Sequence, residues 1–493
     1  MHARRPEQHA RMPRARRPRL GLYLPELDPS LETDSVRRTN AVIRQLLARR
    51  YELAEPQHAD LIVQGALTRA PEAGWVAPRL IFAHGALGDP GHWLLTVPQV
   101  RACDVLALTS SSDRAIFERL AGEPRCRTAW LPLFVDTNVF QPRPALRSAV
   151  RERFGVPEHA PLLLTVSALA PGKNVQSALL LLRELRRELP EARCLVVGDG
   201  PQAYLADLAQ RLGLAAAVSF VGPRSRAELS DLYAAADLLV HLTLNRKESF
   251  GLVSVEAQAS GVPVLAARWG GVADTVEHGV TGYLADSYLV GPERRVDWLA
   301  LVPHASELLT NPASWRRFSQ AARKRALREH SIAAFARRLY RLLDRMTATP
   351  DRRPLRLSPA AQDLVVAFAS RAIEHPELTD SAELSESLRD PFDGTYAYRN
   401  IHEQMALPHP PERNAEAIAY RLLDAELDGQ TLHIRDPMWK GSVPLTAAER
   451  AVWQLLETPR PRADVEARAP TNQAALATLY ARGLAGLTRR ASD

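Results

Sequence analysis

The stretch Leu238-Leu-Val-His241-Leu-Thr-Leu-Asn-Arg-Lys-Glu248-Ser-Phe-Gly-Leu-Val-Ser-Val-Glu256-Ala-Gln-Ala-Ser-Gly-Val-Pro-Val-Leu-Ala-Ala266 reads as strand, loop, helix and strand in one pass. Leu238 to His241 is a short apolar run with the length of a buried strand. Gly251 to Ser260 carries a helical pattern, and Val262 to Ala266 is again a run suited to a sheet covered on both faces. A strand, a helix and a second strand in this order form the unit of a parallel sheet.

Working outward, the unit recurs. Upstream lie strands at Leu162 to Ser167, Cys194 to Val197 and Val218 to Val221, with helices at Val175 to Glu188, Tyr204 to Leu212 and Ala227 to Ala236. A polar, proline-containing stretch from Gln141 to Pro161 separates this set from an earlier one. There, Leu20 to Leu24, Leu61 to Val63, Arg79 to Ala83, Asp104 to Leu108 and Arg127 to Leu131 are strands, and Ser35 to Arg49 is a helix. The pattern predicts an α/β chain with two doubly wound, Rossmann-like domains facing across a cleft. In such sheets, ligands bind beyond the carboxyl ends of the strands. The expected division is a basic tail at residues 1–19, a short first domain at 20–150 and a second domain at 151–346. A proline- and arginine-rich linker at 347–359 and a mostly helical extension at 360–493 follow. Within the extension, residues 445–488 have the outline of a winged helix.

The chemistry concentrates in the quoted stretch. Glu248 stands in a loop after a strand, and Glu256 lies about one and a half turns into the next helix. Between them, Phe250-Gly251-Leu252 opens that helix, whose free N–H groups and positive dipole end favour an anion. Gly251 allows a ligand close to the backbone. An anion cradle with an acceptor on either side suits a diphosphate carrying hydroxyl-bearing rings. Two glutamates near a helix are also what a solvated face provides.

The motif decides between those readings by resemblance. From Glu248 through Ser260-Gly-Val-Pro-Val264 it resembles the E-x7-E signature of the retaining GT-B glycosyltransferases of family 4, the group 1 glycosyl transferases. That resemblance implies that Glu256 holds the ribose hydroxyls of a nucleoside-diphosphate sugar and that Glu248 contacts the donor sugar near its reacting face. Val166-Ser-Ala-Leu-Ala-Pro-Gly-Lys173 resembles the family's phosphate loop, and Lys173 matches its diphosphate lysine. Ala168 stands where many members place an arginine. Arg246 and Lys247 are candidates to replace that charge, though loop cations are commonly just solvated. Trp269-Gly270-Gly271-Val272 resembles the turn near the donor sugar, and Glu277-His-Gly-Val-Thr-Gly282 the signature after it. Pro132-Leu-Phe-Val-Asp136 resembles the interdomain entry more loosely. His84, at a strand end before Gly85, matches a histidine that faces the donor sugar; a backbone-satisfied histidine is its plainer reading. His92 is a poorer candidate.

The resemblance implies a hexosyltransferase: sugar transfer from a nucleotide sugar to an acceptor, with retention, without a metal and without a cofactor. The acceptor is open among protein, peptide, lipid and glycan. Pro25-Glu-Leu-Asp-Pro29 replaces the family's glycine-rich acceptor loop, and the first domain is short. The rival reading is a catalytically weak scaffold of the same fold acting as a binding or regulatory partner. It is favoured by Ala168 and by the short first half, and opposed by Glu248, Glu256 and Lys173.

Composition bounds the rest. The net charge of +7 invites a nucleic-acid reading, but seven arginines and one acid in residues 1–19 account for six of those charges. The remainder is near neutral, and the helix Asn472 to Arg482 lacks a basic recognition face, which argues against DNA. A basic tail is ordinarily a solvated arm, with at most peripheral attraction to an anionic membrane surface. Three cysteines, Cys103, Cys126 and Cys194, give neither a disulfide framework nor zinc spacing, as expected for a cytoplasmic protein. No run of about 18 apolar residues occurs. The extension is read as a docking element for a protein or peptide acceptor, or for a second copy in a homodimer.

Overall fold

The structure, a computed structural model, describes residues 18–24, 34–65, 75–83, 97–245, 248–290, 293–346, 353–359, 361–362, 418–421, 425–435, 441–482 and 484–488. The first unit comprises β1 (Arg19–Tyr23), α1 (Asp34–Ala48), β2 (Glu52–Ala54), β3 (Leu61–Gln64), β4 (Arg79–Phe82), β5 (Val105–Leu108), α2 (Ser111–Leu120) and β6 (Arg127–Trp130). Its strands run parallel in the order β2-β1-β3-β4-β5-β6. Strands β3, β4 and β5 are wholly buried; β5 is apolar throughout, and the polar ends Gln64 and Arg79 of β3 and β4 are bonded to each other. Beneath them Asp104, itself fully buried, bonds Arg79 at 2.6 Å and Arg101 at 3.0 Å. Burial pushes the Asp104 carboxyl up, but the two guanidiniums outweigh it and hold it below its ordinary range.

The second unit comprises α3 (Arg147–Arg153), β7 (Leu162–Val166), α4 (Val175–Leu185), β8 (Arg193–Val197), α5 (Ala203–Arg211), β9 (Val218–Gly222), α6 (Arg226–Ala235), β10 (Leu238–His241), α7 (Leu252–Ala259), β11 (Val264–Arg268), α8 (Val272–Thr275), β12 (Gly282–Val290) and β13 (Glu293–Val296). The sheet order is β13-β12-β11-β10-β7-β8-β9, parallel except for the terminal hairpin β12–β13. The order reverses between β7 and β10, which are neighbours. A crevice beyond their carboxyl ends is where such a sheet offers a ligand site. The helix ends follow from sequence: Ser225 and Glu228 close a capping box on α6.

Helices α9 (Leu301–Thr310), α10 (Pro312–Arg325) and α11 (Ile332–Asp344) follow, with a π-turn at Ala326–His330 before the last. α11 crosses back to the first unit. Phe335, Leu339 and Leu343 share its core with Leu20, Ile43 and Leu80. Phe335 packs on Phe134 with ring centroids 4.6 Å apart, and the Tyr340 hydroxyl donates to the Leu46 carbonyl at 2.8 Å. The short first domain is thus completed by residues that come after the second.

One expectation for the tail needs correcting. The second half of the supposed linker is a strap on the first unit. Leu355 N–H donates to Val100 O at 2.8 Å, Gly122 N–H to Arg356 O at 2.7 Å, and Ser358 N–H to Leu120 O at 2.9 Å. Leu355 is buried there. Over its described residues the extension mixes strands with helices. Its described residues hold β14 (Ile418–Arg421), β15 (Ala425–Asp428), β16 (Thr431–Ile434), β17 (Gly441–Pro444), α12 (Ala447–Leu455), β18 (Arg460–Pro461), α13 (Arg462–Glu466), α14 (Asn472–Ala481) and β19 (Ala485–Thr488). They form two three-stranded antiparallel sheets, β18-β14-β19 and β15-β16-β17. This module has its own core around Trp453, Val465 and Leu479. It docks on the second unit through Tyr420, whose hydroxyl donates to buried Asp297 at 2.6 Å while its ring meets Trp298 edge-on.

Asp113, in the first turn of α2, gives a stability test. Burial pushes its carboxyl up to about 7, against hydrogen bonds from Thr109 and Ser110. The folded protein therefore keeps a proton that the unfolded chain releases near pH 4. The site's stabilising contribution is complete below about pH 4 and is lost as pH rises through 7. Asp113→Asn, which still accepts from Thr109, should stabilise the protein by about 1–3 kcal/mol at pH 8 and by much less at pH 4.5. Thermal unfolding at the two pH values measures this, and an equal effect at both would count against it.

Candidate functional site

Two loops meet at the reversal point of the second sheet. The first leaves β7 and tightens into a 3-10 turn at Pro171–Lys173. Asn174, with φ of 54°, caps this turn, and its amide donates to the Leu242 carbonyl at 2.9 Å. A buried asparagine thereby fixes the β7 loop to the loop that leaves β10. Leu244 N–H adds a bond to Gly172 O at 2.9 Å. The result brings Lys173 Nζ to 2.6 Å from Glu248 Oε2, while Thr243 Oγ1 donates to the same oxygen at 3.3 Å. Burial raises the Glu248 carboxyl, but the Lys173 ammonium beside it prevails and keeps it below its usual range. An ion pair therefore spans the crevice.

Behind the pair, His241 Nδ1 lies 2.9 Å from Ser254 Oγ. Burial lowers its pKa to about 4, so it is neutral at physiological pH. This histidine at the end of β10 was not singled out from sequence.

The Glu248 loop leads into α7 through Gly251, whose φ of 85° favours a residue without Cβ. A Cβ there would also lie 2.8 Å from Val272 Cγ2. Gly271 is still more confined: a Cβ on it would fall 2.1 Å from the Ser249 carbonyl oxygen. Its N–H donates to Glu248 O at 2.9 Å. The Gly270–Gly271 turn and the Glu248 loop are thus held as one surface. Leu252 is the first residue of α7, so the helix N-terminus opens at this surface. The Phe250 ring is not part of it. That ring is buried, edge-on to His330 at 5.5 Å, leaving Phe250 only its backbone to offer.

Glu256 lies one turn into α7 from Leu252. Burial pushes its carboxyl up to about 7, opposed by the charges of Arg226 and Arg38 and by Tyr233, whose hydroxyl lies 3.5 Å away. Arg226 opens α6, and its guanidinium sits 5.2 Å from the Phe140 ring centroid. Arg38 belongs to α1, so the first unit also contributes charge here. Sequence reasoning missed both arginines, since neither neighbours a motif in the chain. Ala168 is exposed just after β7 and supplies no charge. His84, His92, Arg246 and Lys247 lie outside the described residues. Among the described residues no group of three or more His, Cys, Asp or Glu could hold a metal ion, and no helix is long and apolar enough to cross a membrane.

Comparison with known proteins covers the segment that carries these loops. Residues 147–325 match the family described as Glycosyl transferases group 1. Among curated relatives, D-inositol 3-phosphate glycosyltransferase of Thermobispora bispora is 37% identical over 270 residues, covering 52% of this chain and 60% of its own length. The GDP-mannose-dependent alpha-(1-6)-phosphatidylinositol monomannoside mannosyltransferase of Mycobacterium tuberculosis is 35% identical over 189 residues, covering 37% and 49%. The chain therefore spans about half to three fifths of the length of these relatives. Among solved structures, Anabaena HepE in complex with UDP-glucose aligns at a TM-score of 0.53 and 20% identity, over 66% of this chain and 99% of that one. That likeness shows the two-domain GT-B fold.

The raised Glu256 carboxyl sets a pH test. If Glu256 receives the vicinal hydroxyls of a ribose, they donate to its ionised form and nucleotide binding favours loss of the proton. Affinity for a nucleoside diphosphate should rise as pH increases from 6 to 8, and Glu256→Gln should flatten the profile and weaken binding by about 1.5–3 kcal/mol at pH 8. Calorimetry across that range decides it. Equal slopes for the two proteins would remove Glu256 from the nucleotide site.

Proposed function

We propose that this chain, a group 1 glycosyltransferase through residues 147–325, transfers a sugar from a nucleoside-diphosphate sugar to an acceptor hydroxyl, with retention and without a metal. The observation that carries this reading is the Lys173–Glu248 pair beside the open N-terminus of α7, at the strand-order reversal. In the reaction the bond from the anomeric carbon to the departing phosphate oxygen breaks. A bond from the acceptor oxygen to that carbon forms, and the acceptor's proton passes to the departing phosphate oxygen. The transition state is oxocarbenium-like, and negative charge grows on the diphosphate. Lys173 and the N–H groups at the start of α7 are placed to stabilise that charge. Glu248 holds the lysine ready and, in this reading, faces the donor sugar. Glu256 takes the ribose.

The relatives' names specify inositol phosphate and phosphatidylinositol mannoside chemistry. This chain departs from that pattern on its acceptor side, at Pro25 to Pro29, and carries the extra module of residues 418–488. We assign acceptor recognition to that module, with a protein or peptide as the acceptor. Its independent core and its dock at Asp297 and Trp298 support the assignment. The exposed Ala168 and the short first half favour a scaffold without turnover, and donor hydrolysis separates the two readings.

Lys173→Ala should lower donor turnover on the order of 10²-fold, as loss of a preorganised charge stabiliser does. Wild-type turnover in that variant, measured by nucleotide release, would move the phosphate role elsewhere. A chain ending at residue 362 keeps the strap and loses the module. It should still hydrolyse donor but fail to glycosylate the native acceptor; full transfer by the shortened chain would remove the module from acceptor recognition.

A further inference from the structure

The turn between β5 and α2 reaches from the first unit into the second. Thr109 Oγ1 lies 2.9 Å from the Ser249 carbonyl oxygen and 3.0 Å from Asp113 Oδ2, so its single proton is shared between them. Two residues on, Ser111 grips Asp274 twice: its N–H donates to Oδ2 at 2.6 Å and its hydroxyl to Oδ1 at 2.8 Å. Ser111 is the first residue of α2, whose N-cap is Ser110. Its N–H is one of those a helix leaves without an internal partner, and a carboxylate is favoured there.

Both receiving groups belong to the surface that frames the candidate donor site. Ser249 follows Glu248 directly, and Asp274 lies in α8, immediately after the Gly270–Gly271 turn. These two segments are already tied by Gly271 N–H to Glu248 O. From the other side, Arg325 donates to the Asp274 backbone carbonyl at 2.7 Å and is itself held by Glu329 at 3.1 Å. Asp274 is therefore anchored by its backbone to the second unit and by its side chain to the first.

We infer that Asp274 and Ser111 form a latch between the two units, and that Asp274 is a positioning residue for the Glu248 loop. In that role it acts through the loop and not on the reacting sugar. It fixes the distance between the acceptor-side sheet and the loop that faces the sugar. The nucleotide end of the donor, held by Lys173 and Glu256, does not depend on it. This assignment rests on the donor-site reading for its effect on turnover, while the latch itself stands on contacts between the units.

The test uses the full chain and three variants. Asp274→Ala removes both acceptors. Ser111→Pro removes both donors at a helix position where proline is well tolerated. Asp274→Asn keeps one acceptor oxygen. Amide hydrogen exchange should quicken about tenfold at residues 248–251 in the first two, and the double variant should add little, as expected for partners in one interaction. Asp274→Asn should recover part of the protection. In parallel, turnover should fall about tenfold in Asp274→Ala while its affinity for the nucleoside diphosphate stays within about twofold of wild type. A merely structural role would lower the melting temperature and leave this split unseen. Unchanged exchange at 248–251 in both single variants overturns the latch, as do fully additive effects. Quickened exchange in a protein whose wild type neither hydrolyses nor transfers the donor would sustain the latch and refute the proposed function.

Discussion

A lysine and a glutamate 2.6 Å apart, Lys173 and Glu248, join the two loops that leave neighbouring strands where the sheet order reverses. Each loop alone is an irregular surface segment of the sort that carries function precariously. Together, with Asn174 bridging their backbones, they make a rigid lip. The pair also keeps Glu248 below its usual range in a buried setting, because the neighbouring ammonium outweighs the cost of burial.

The rest of the site is arranged by close backbone approach. Gly271 fits under Ser249 only because it lacks a side chain, and Gly251 turns the chain into α7 with a positive φ. These constraints were legible in the sequence as an E-x7-E stretch and a Gly-Gly turn. The pairing of Lys173 with Glu248, separated by 75 positions, was not. Arg38 and Arg226 were equally invisible, because their relation to Glu256 exists only once three elements are folded together.

The strands were read closely, with instructive exceptions. The strand expected from Val262 begins at Val264 instead: Pro263 has no N–H to give, although its carbonyl still accepts from Leu239 at 3.0 Å. The edge strand Glu52–Ala54 was missed because three largely exposed residues carry no alternation. In the extension, Asp428-Gly429 marks a hairpin turn between β15 and β16, with Gly429 at φ 56°. That dipeptide is a strong local signal, and the helical expectation overlooked it. The strap at 353–359 had no such signal. Proline and arginine suggest a spacer, and only the matching edge of the first unit makes it structure.

The placement of α11 bears on how the chain is made. A ribosome delivers the first sheet early, and domains ordinarily fold in the order they emerge. Here Phe335, Leu339 and Leu343, which close the hydrophobic face of that sheet, are synthesised only after the whole second sheet. The nascent first half therefore emerges with Leu20, Ile43 and Leu80 uncovered by their final neighbours. The later half can complete its own sheet before the earlier one is sealed. Completion of the first sheet thus waits on residues translated after the second.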